Sequence, residues 1–239
     1  MRVEGGVAVG RESLVDQLIA ELLNDIVAGR LVPGGPLPAE ADLASRFDVS
    51  RLTIREAIRK LQAQGMVHTV PGRRSELNAV SRWTDIGAAL QVAEAQIGRA
   101  ESSIQLLQLR RMIETGACAM AATRMGPDGL EQLERELDGM RAAAAINDVA
   151  EFVIHDIAFH DVILDSCGNR FVRTLFDPLQ ALLRERRTET SRVPAVQEHA
   201  IEMHAAVIDA LRTQDADRAH AAMSAHMDQT ERDLIRYVL

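Results

Sequence analysis

At 239 residues the chain is long for one domain and short for three, which favours two. Its 47% hydrophobic and 26% charged residues are the balance of a folded globular protein and exclude a disordered or low-complexity one. Aromatic residues are only 3% of the chain, against many Ala, Leu, Ile and Met, so a mainly α protein is expected rather than a sandwich or barrel. The longest stretch without a formal charge, residues 61–72, contains Gln, Gly, His and Pro and is too short and polar to span a membrane. Residues 1–10 carry Glu4 and paired glycines where a signal peptide needs an unbroken apolar run, so a cytoplasmic protein without a membrane partner is expected. Cys118 and Cys167 lack metal-site spacing and read as small core residues.

The formal net charge of −8 is unevenly distributed. Residues 1–78 hold 10 basic and 10 acidic side chains, whereas residues 79–239 hold 17 and 25. Between positions 51 and 74, Arg51, Arg55, Arg59, Lys60, Arg73 and Arg74 face only Glu56. A basic patch inside an acidic protein is the electrostatic footprint of nucleic-acid binding.

In chain order, Leu14, Leu18, Leu22 and Ile26 recur at helical spacing and predict a first helix over residues 13–28, ended by Gly29. A turn rich in proline and glycine follows to Pro38, and a second helix begins near Ala39 with Leu43, Ala44 and Phe47 on its apolar face. Asp48 and Val49 interrupt it, and Ser50 reads as the N-cap of a third helix with Ile54, Ile58 and Leu61 as its core stripe. On that helix Arg51, Arg55 and Arg59 share a face, so one side can pack while the other meets phosphates and guanine edges. Gly65 stops the helix, and residues 66–70 followed by Pro-Gly-Arg-Arg read as a strand and turn, a small basic wing.

The ordered residues Ile26-Val-Ala-Gly29, Pro33-Gly34, Leu37-Pro-Ala-Glu40, Leu43-Ala44, Val49-Ser-Arg51, Thr53-Ile-Arg-Glu-Ala57 and Leu61-Gln-Ala-Gln-Gly65 resemble the winged helix-turn-helix of GntR-type bacterial transcription regulators. The resemblance implies that Arg51, Thr53 and Arg55 contact double-stranded DNA and that Gly72 lets the wing approach the minor groove. Arg59 joins them by its position on the same face. The sequence departs from the family pattern at Ala41, where an arginine is frequent, at Leu52, where a small hydroxyl residue is common, and over residues 73–77 at the end of the wing.

Beyond Asn78 the chain shows helical patterns starting near Trp83, Glu101, Asp128, Val149, Arg170, Val193 and Asp215, separated by turn signals. This half reads as an all-α antiparallel bundle, giving domains of 1–78 and 79–239. Six of the seven histidines lie here. Asp156 and His160 are one helical turn apart on one face. If Gln214 and Asp215 join antiparallel helices, His204 and His226 stand at similar height across the hairpin, whereas His155, His199 and His220 miss that level or face. One carboxylate and three neutral imidazoles suit a divalent cation, zinc above all, with nickel and manganese as alternatives and open positions for water or an anion.

Leu109-Arg-Arg-Met-Ile-Glu114, Asp156-Ile-Ala-Phe-His160, Ser166-Cys-Gly-Asn169, His204-Ala-Ala-Val-Ile-Asp-Ala-Leu211 and His226 resemble the FCD ligand-binding domain of the FadR-type branch of the same family. Met203 departs from the pattern, where a glutamate often precedes the histidine. The resemblance implies Asp156, His160, His204 and His226 as metal ligands and Arg110 as the partner of an effector carboxylate. It also implies a homodimer whose two recognition helices, spaced one DNA turn or ~34 Å, read a palindromic operator. The expected function is an effector-controlled repressor rather than an enzyme. The rival readings are a metal-dependent hydrolase using the same Asp/His site, for which no catalytic base is evident, and a regulator whose metal is purely structural.

Overall fold

The computed structural model describes residues 13–69 and 74–239 and divides the chain into two compact units, 1–98 and 99–239. In the first unit Ser13 caps α1 (Leu14–Val27) by accepting a hydrogen bond from the Asp16 amide at 3.1 Å. The helix buries Leu18, Leu22 and Ile26, one per turn. A tight turn with Asp48 in the left-handed region joins α2 (Glu40–Phe47) to α3 (Arg51–Ala63), and Ser50 caps α3 through the Thr53 amide. Gly65 follows α3 at φ +69, where a Cβ would collide with the Arg82 carbonyl, so both conformation and space demand glycine.

Strands β1 (Val67–His68) and β2 (Glu76–Leu77) pair antiparallel, with Val67 opposite Leu77. They form the base of the expected wing. A 3-10 turn, Val80–Arg82, leads to α4 (Ile86–Ile97), which packs on α1. Trp83, Ala88 and Val92 complete the core built by α1, α2 and α3. The segment 79–98, expected with the second domain, therefore lies with the first, because its apolar stripe completes that core.

The second unit consists of α5 (Arg99–Ala122), α6 (Pro127–Ala145), α7 (Val149–Ser166), α8 (Arg170–Phe176), α9 (Gln180–Thr190), α10 (Pro194–Arg212) and α11 (Ala216–Tyr237). Helix α5 packs against α7 and α11, and α6 against α7 and α10. Their shared core holds Leu133, Met140, Phe152, Phe159, Val207 and Met223, and the free cysteines Cys118 and Cys167 are fully buried. The pattern read as one helix from Arg170 is two, parted by a 3-10 turn at Asp177–Leu179 where Pro178 has no amide hydrogen to give. Among the described residues no helix is long and apolar enough to cross a membrane. The architecture is thus mainly α, a helix-turn-helix with a small two-stranded sheet followed by a helical bundle.

Candidate functional site

Helix α3 divides as its sequence requires. Ile54, Ala57, Ile58 and Leu61 are buried, while Arg51, Arg55 and Arg59 are exposed. Arg55 Nε donates to Glu40 Oε2 at 2.9 Å, a pair open to solvent on both sides. Among the described residues Arg51 and Arg59 make no side-chain ion pair. Thr53 is half-buried, and its hydroxyl sits 2.9 Å from that of Ser50 at the helix cap. Gly72 lies outside the described residues. Not every arginine nearby faces outward: Arg46 and Arg30 converge on the buried carboxylate of Asp25, at 2.5 and 2.7 Å, tying α2 and the turn after α1 together.

In the bundle, His160 of α7, His204 of α10 and His226 of α11 converge, each buried, with ligating nitrogens within 4.8 Å of one another. Ring centroids lie 5.1 Å apart for His160 and His204 and 4.6 Å apart for His204 and His226. The Ala200 carbonyl accepts from His204 Nδ1 at 2.6 Å, which holds the ring in the tautomer that leaves Nε2 with a lone pair. Glu114 Oε2 stands 2.7 Å from His160 Nδ1, and a carboxylate that close favours the proton on that nitrogen. The Nε2 atoms of all three rings, and Nδ1 of His160 and His226, are buried without a hydrogen-bond partner of good geometry. Buried polar atoms of this kind carry a cost of about 1–3 kcal/mol each unless something occupies them.

For His160 and His226 the electrostatics favour the neutral, ligating imidazole. Burial pushes His160 down to about 4, against the pull of Glu114. Burial, then His204, His160 and Arg110, pushes His226 well below the ordinary histidine value. The carboxylates behave oppositely. Burial resists ionisation of Asp156, but the Arg187 guanidinium holds it well below the usual carboxylate range. Burial likewise resists ionisation of Glu114, and Arg110 and His160 outweigh it.

Asp156 stands beside the three rings without joining them fully. Its Oδ1 is 3.3 Å from His204 Nε2, while Oδ2 is taken by Arg187 of α9. Arg110 is buried and donates from Nε to Glu114 Oε1 at 2.7 Å, so this pair is an interior one rather than a solvated i,i+4 contact. A cleft opens over the cluster, lined among others by Arg110, Asp156, Arg187, His226, Gln229 and Asp233. Two other bundle histidines are engaged elsewhere than in the cluster: His155 pairs with Glu136, and His199 with Asp233. Sequence reasoning missed the parts of Glu114 and Arg187. Glu114 sits in a run with Thr115, Ala117 and Cys118, all buried, which is a usable signal; Arg187 sits in a stretch of alternating Arg, Glu and Thr that reads as a solvated face.

The cluster fits a divalent cation by its chemistry: neutral borderline nitrogen donors, an adjacent carboxylate, orienting partners behind two rings and orphaned nitrogens in front. Comparison with known proteins bears on the rest. Residues 105–229 match the FCD domain and residues 14–76 match the bacterial regulatory proteins of the gntR family. The chain is 28% identical over 230 residues to the transcriptional repressor NanR of Cronobacter sakazakii, covering 93% of this chain and 88% of that one. It is 30% identical over 220 residues to the transcriptional regulator LutR of Bacillus subtilis, covering 87% and 95%. It is also 30% identical over 214 residues to the galactonate operon transcriptional repressor of Escherichia coli, covering 87% and 90%. Among solved structures, Lar, which controls expression of the Listeria monocytogenes agr system, shares the fold with a TM-score of 0.63 at 21% identity over 95% of this chain and 99% of that one. These families and relatives are transcription regulators and not enzymes. With a helix-turn-helix unit and a bundle that carries a buried three-histidine cluster, the chain belongs to the GntR family of bacterial transcription regulators, in the group with an FCD domain.

Proposed function

We propose that this regulator is a repressor whose hold on its operator is set by a small carboxylic acid bound over a divalent cation in the bundle. Asp156, His160, His204 and His226 hold the cation, with zinc the best match to their donor atoms and nickel or manganese the alternatives. When bound, the cation supplies a Lewis-acidic point for an anionic ligand. Arg110 and Arg187, at the cleft, supply the guanidinium groups that a carboxylate pairs with. A hydroxy or sugar acid suits a cleft that also presents Gln229 and Asp233, and a relative named for the galactonate operon is in keeping with that class. Arg51, Thr53, Arg55, Arg59 and Gly72 contact the DNA, and two copies of the chain read a palindromic site.

The observation that carries this reading is the convergence of three buried imidazoles whose outward nitrogens have no partner. Effector and operator are then linked by a coupling free energy, so the acid alters DNA affinity by the same factor by which DNA alters acid affinity. The test is a thermal-shift screen of zinc-loaded protein with small carboxylic acids, followed by operator titrations with each acid that binds. The expected result is an acid that is not consumed, raises the melting temperature and changes operator affinity. Turnover of the acid would favour a metalloenzyme. A His204→Ala protein that unfolds at neutral pH, in place of one that folds and ignores the acid, would favour a structural metal.

A further inference from the structure

Helix α3 has an outward ridge as well as a basic side. Leu52, Glu56 and Arg59 follow i, i+4, i+7 spacing and are all exposed, opposite the buried Ile54, Ala57, Ile58 and Leu61. Leu52 is 65% exposed, the most exposed large apolar side chain among the described residues of the first unit. Scattered surface leucines are ordinary. This one stands in the first turn of α3, flanked by Arg51 and Arg55, on the face where the neighbouring charges attract a polyanion. In a helix-turn-helix the N-terminal residues of the second helix reach base edges rather than phosphates. A leucine there can neither donate nor accept a hydrogen bond. The major-groove feature complementary to an apolar side chain is the C5 methyl group of thymine.

We propose that Leu52 is a specificity-determining residue that reads one thymine methyl in each operator half-site. The inference rests on the assignment of α3 as the DNA-reading helix. Arg51, Arg55 and Arg59 supply affinity and register through phosphates and guanine edges, and Leu52 supplies discrimination at one base pair. Thr53 also carries a methyl, but its side chain is half-buried and its hydroxyl is engaged with Ser50 at the cap. Leu52 is therefore the group whose removal abolishes the discrimination.

The test uses the full-length chain. Wild type selects its preferred duplex from a random pool, and each thymine of that duplex is then replaced singly by deoxyuridine, which removes the methyl and nothing else. Affinity should fall about fourfold at one position per half-site, the equivalent of burying one methyl group. The Leu52→Ala protein, with an unchanged melting temperature, should bind the thymine and deoxyuridine duplexes equally. Leu52→Ser, as a second variant, should behave alike. Equal binding of both duplexes by wild type, or a fourfold difference that survives in both variants, overturns the role of Leu52 while leaving α3 as the reading helix. Failure of wild type to enrich any duplex overturns the helix assignment and the inference together.

Discussion

The two units place their charges in opposite ways. On α3, Arg51, Arg55 and Arg59 stand in solvent on a helix whose other face is apolar, the arrangement any amphipathic helix adopts at little cost. In the bundle, Arg110, Glu114, Asp156 and Arg187 lie inside with three imidazoles. Taking a charge out of water costs several kcal/mol, and its partners repay this only with good geometry. The first pattern is compatible with stability alone and becomes functional through what it meets. The second is hard to justify by stability alone, which is what supports the proposal that a ligand binds there. Asp25 shows that burial alone is not the criterion: it is fully buried too, but two arginines satisfy it and no donor atom around it is orphaned.

The largest expected effect is inside the bundle. Glu114→Ala strips the counter-charge from buried Arg110 and the orienting group from His160, and should destabilise the second unit by about 3–5 kcal/mol in urea unfolding. Glu40→Ala removes a carboxylate from a solvent-exposed pair with Arg55 and should cost under about 1 kcal/mol. Equal losses in the two variants would erase the contrast between the units.

Asp25→Asn falls between them, with an expected loss of about 2 kcal/mol from weakened charge-assisted hydrogen bonds. The pH dependence sharpens it. Arg46, despite the opposing effect of burial, and then Arg30 lower the Asp25 carboxyl below its usual value of 3.8. A depressed carboxyl contributes stability that is complete above the unfolded-state pKa and disappears as pH falls through the lower, folded-state value. Wild type should therefore lose its advantage over Asp25→Asn progressively below about pH 5; an advantage that grows on acidification would reverse the assignment. The smallest effects on stability belong to Arg55→Ala and Arg59→Ala, within about 0.5 kcal/mol. Each should weaken operator binding and lower its salt slope by roughly one for each phosphate left unneutralised.

How much of this was legible in the sequence follows the range of the forces involved. The helix-turn-helix was legible because its signals are local: Ser13 and Ser50 cap their helices, Gly29 and Gly65 end them at positive φ, and the leucine and isoleucine spacing marks the buried faces. His204 and His226 were legible as a pair because helical rise and a short hairpin fix their heights, whereas His160, on α7, was tied to them by the family resemblance and by its spacing with Asp156. The engagement of Asp156 by Arg187 was not, since it joins α7 to α9 across the fold, and no local pattern distinguishes Arg187 from the exposed Arg184 in the same helix. The membership of α4 was hidden for a related reason. A stripe such as Ala88 and Val92 states that a helix packs, and leaves open which core it packs into.

The central claim is that the bundle's buried polar cluster exists to hold a cation, and metal analysis of the purified full-length protein tests it most directly. After dialysis against zinc and removal of excess, wild type should retain a single zinc per chain and melt higher than the chelator-treated protein, while folded His204→Ala and His226→Ala should retain almost none. A folded wild-type protein that binds no divalent ion, or variants that bind it as well as wild type does, would contradict the account.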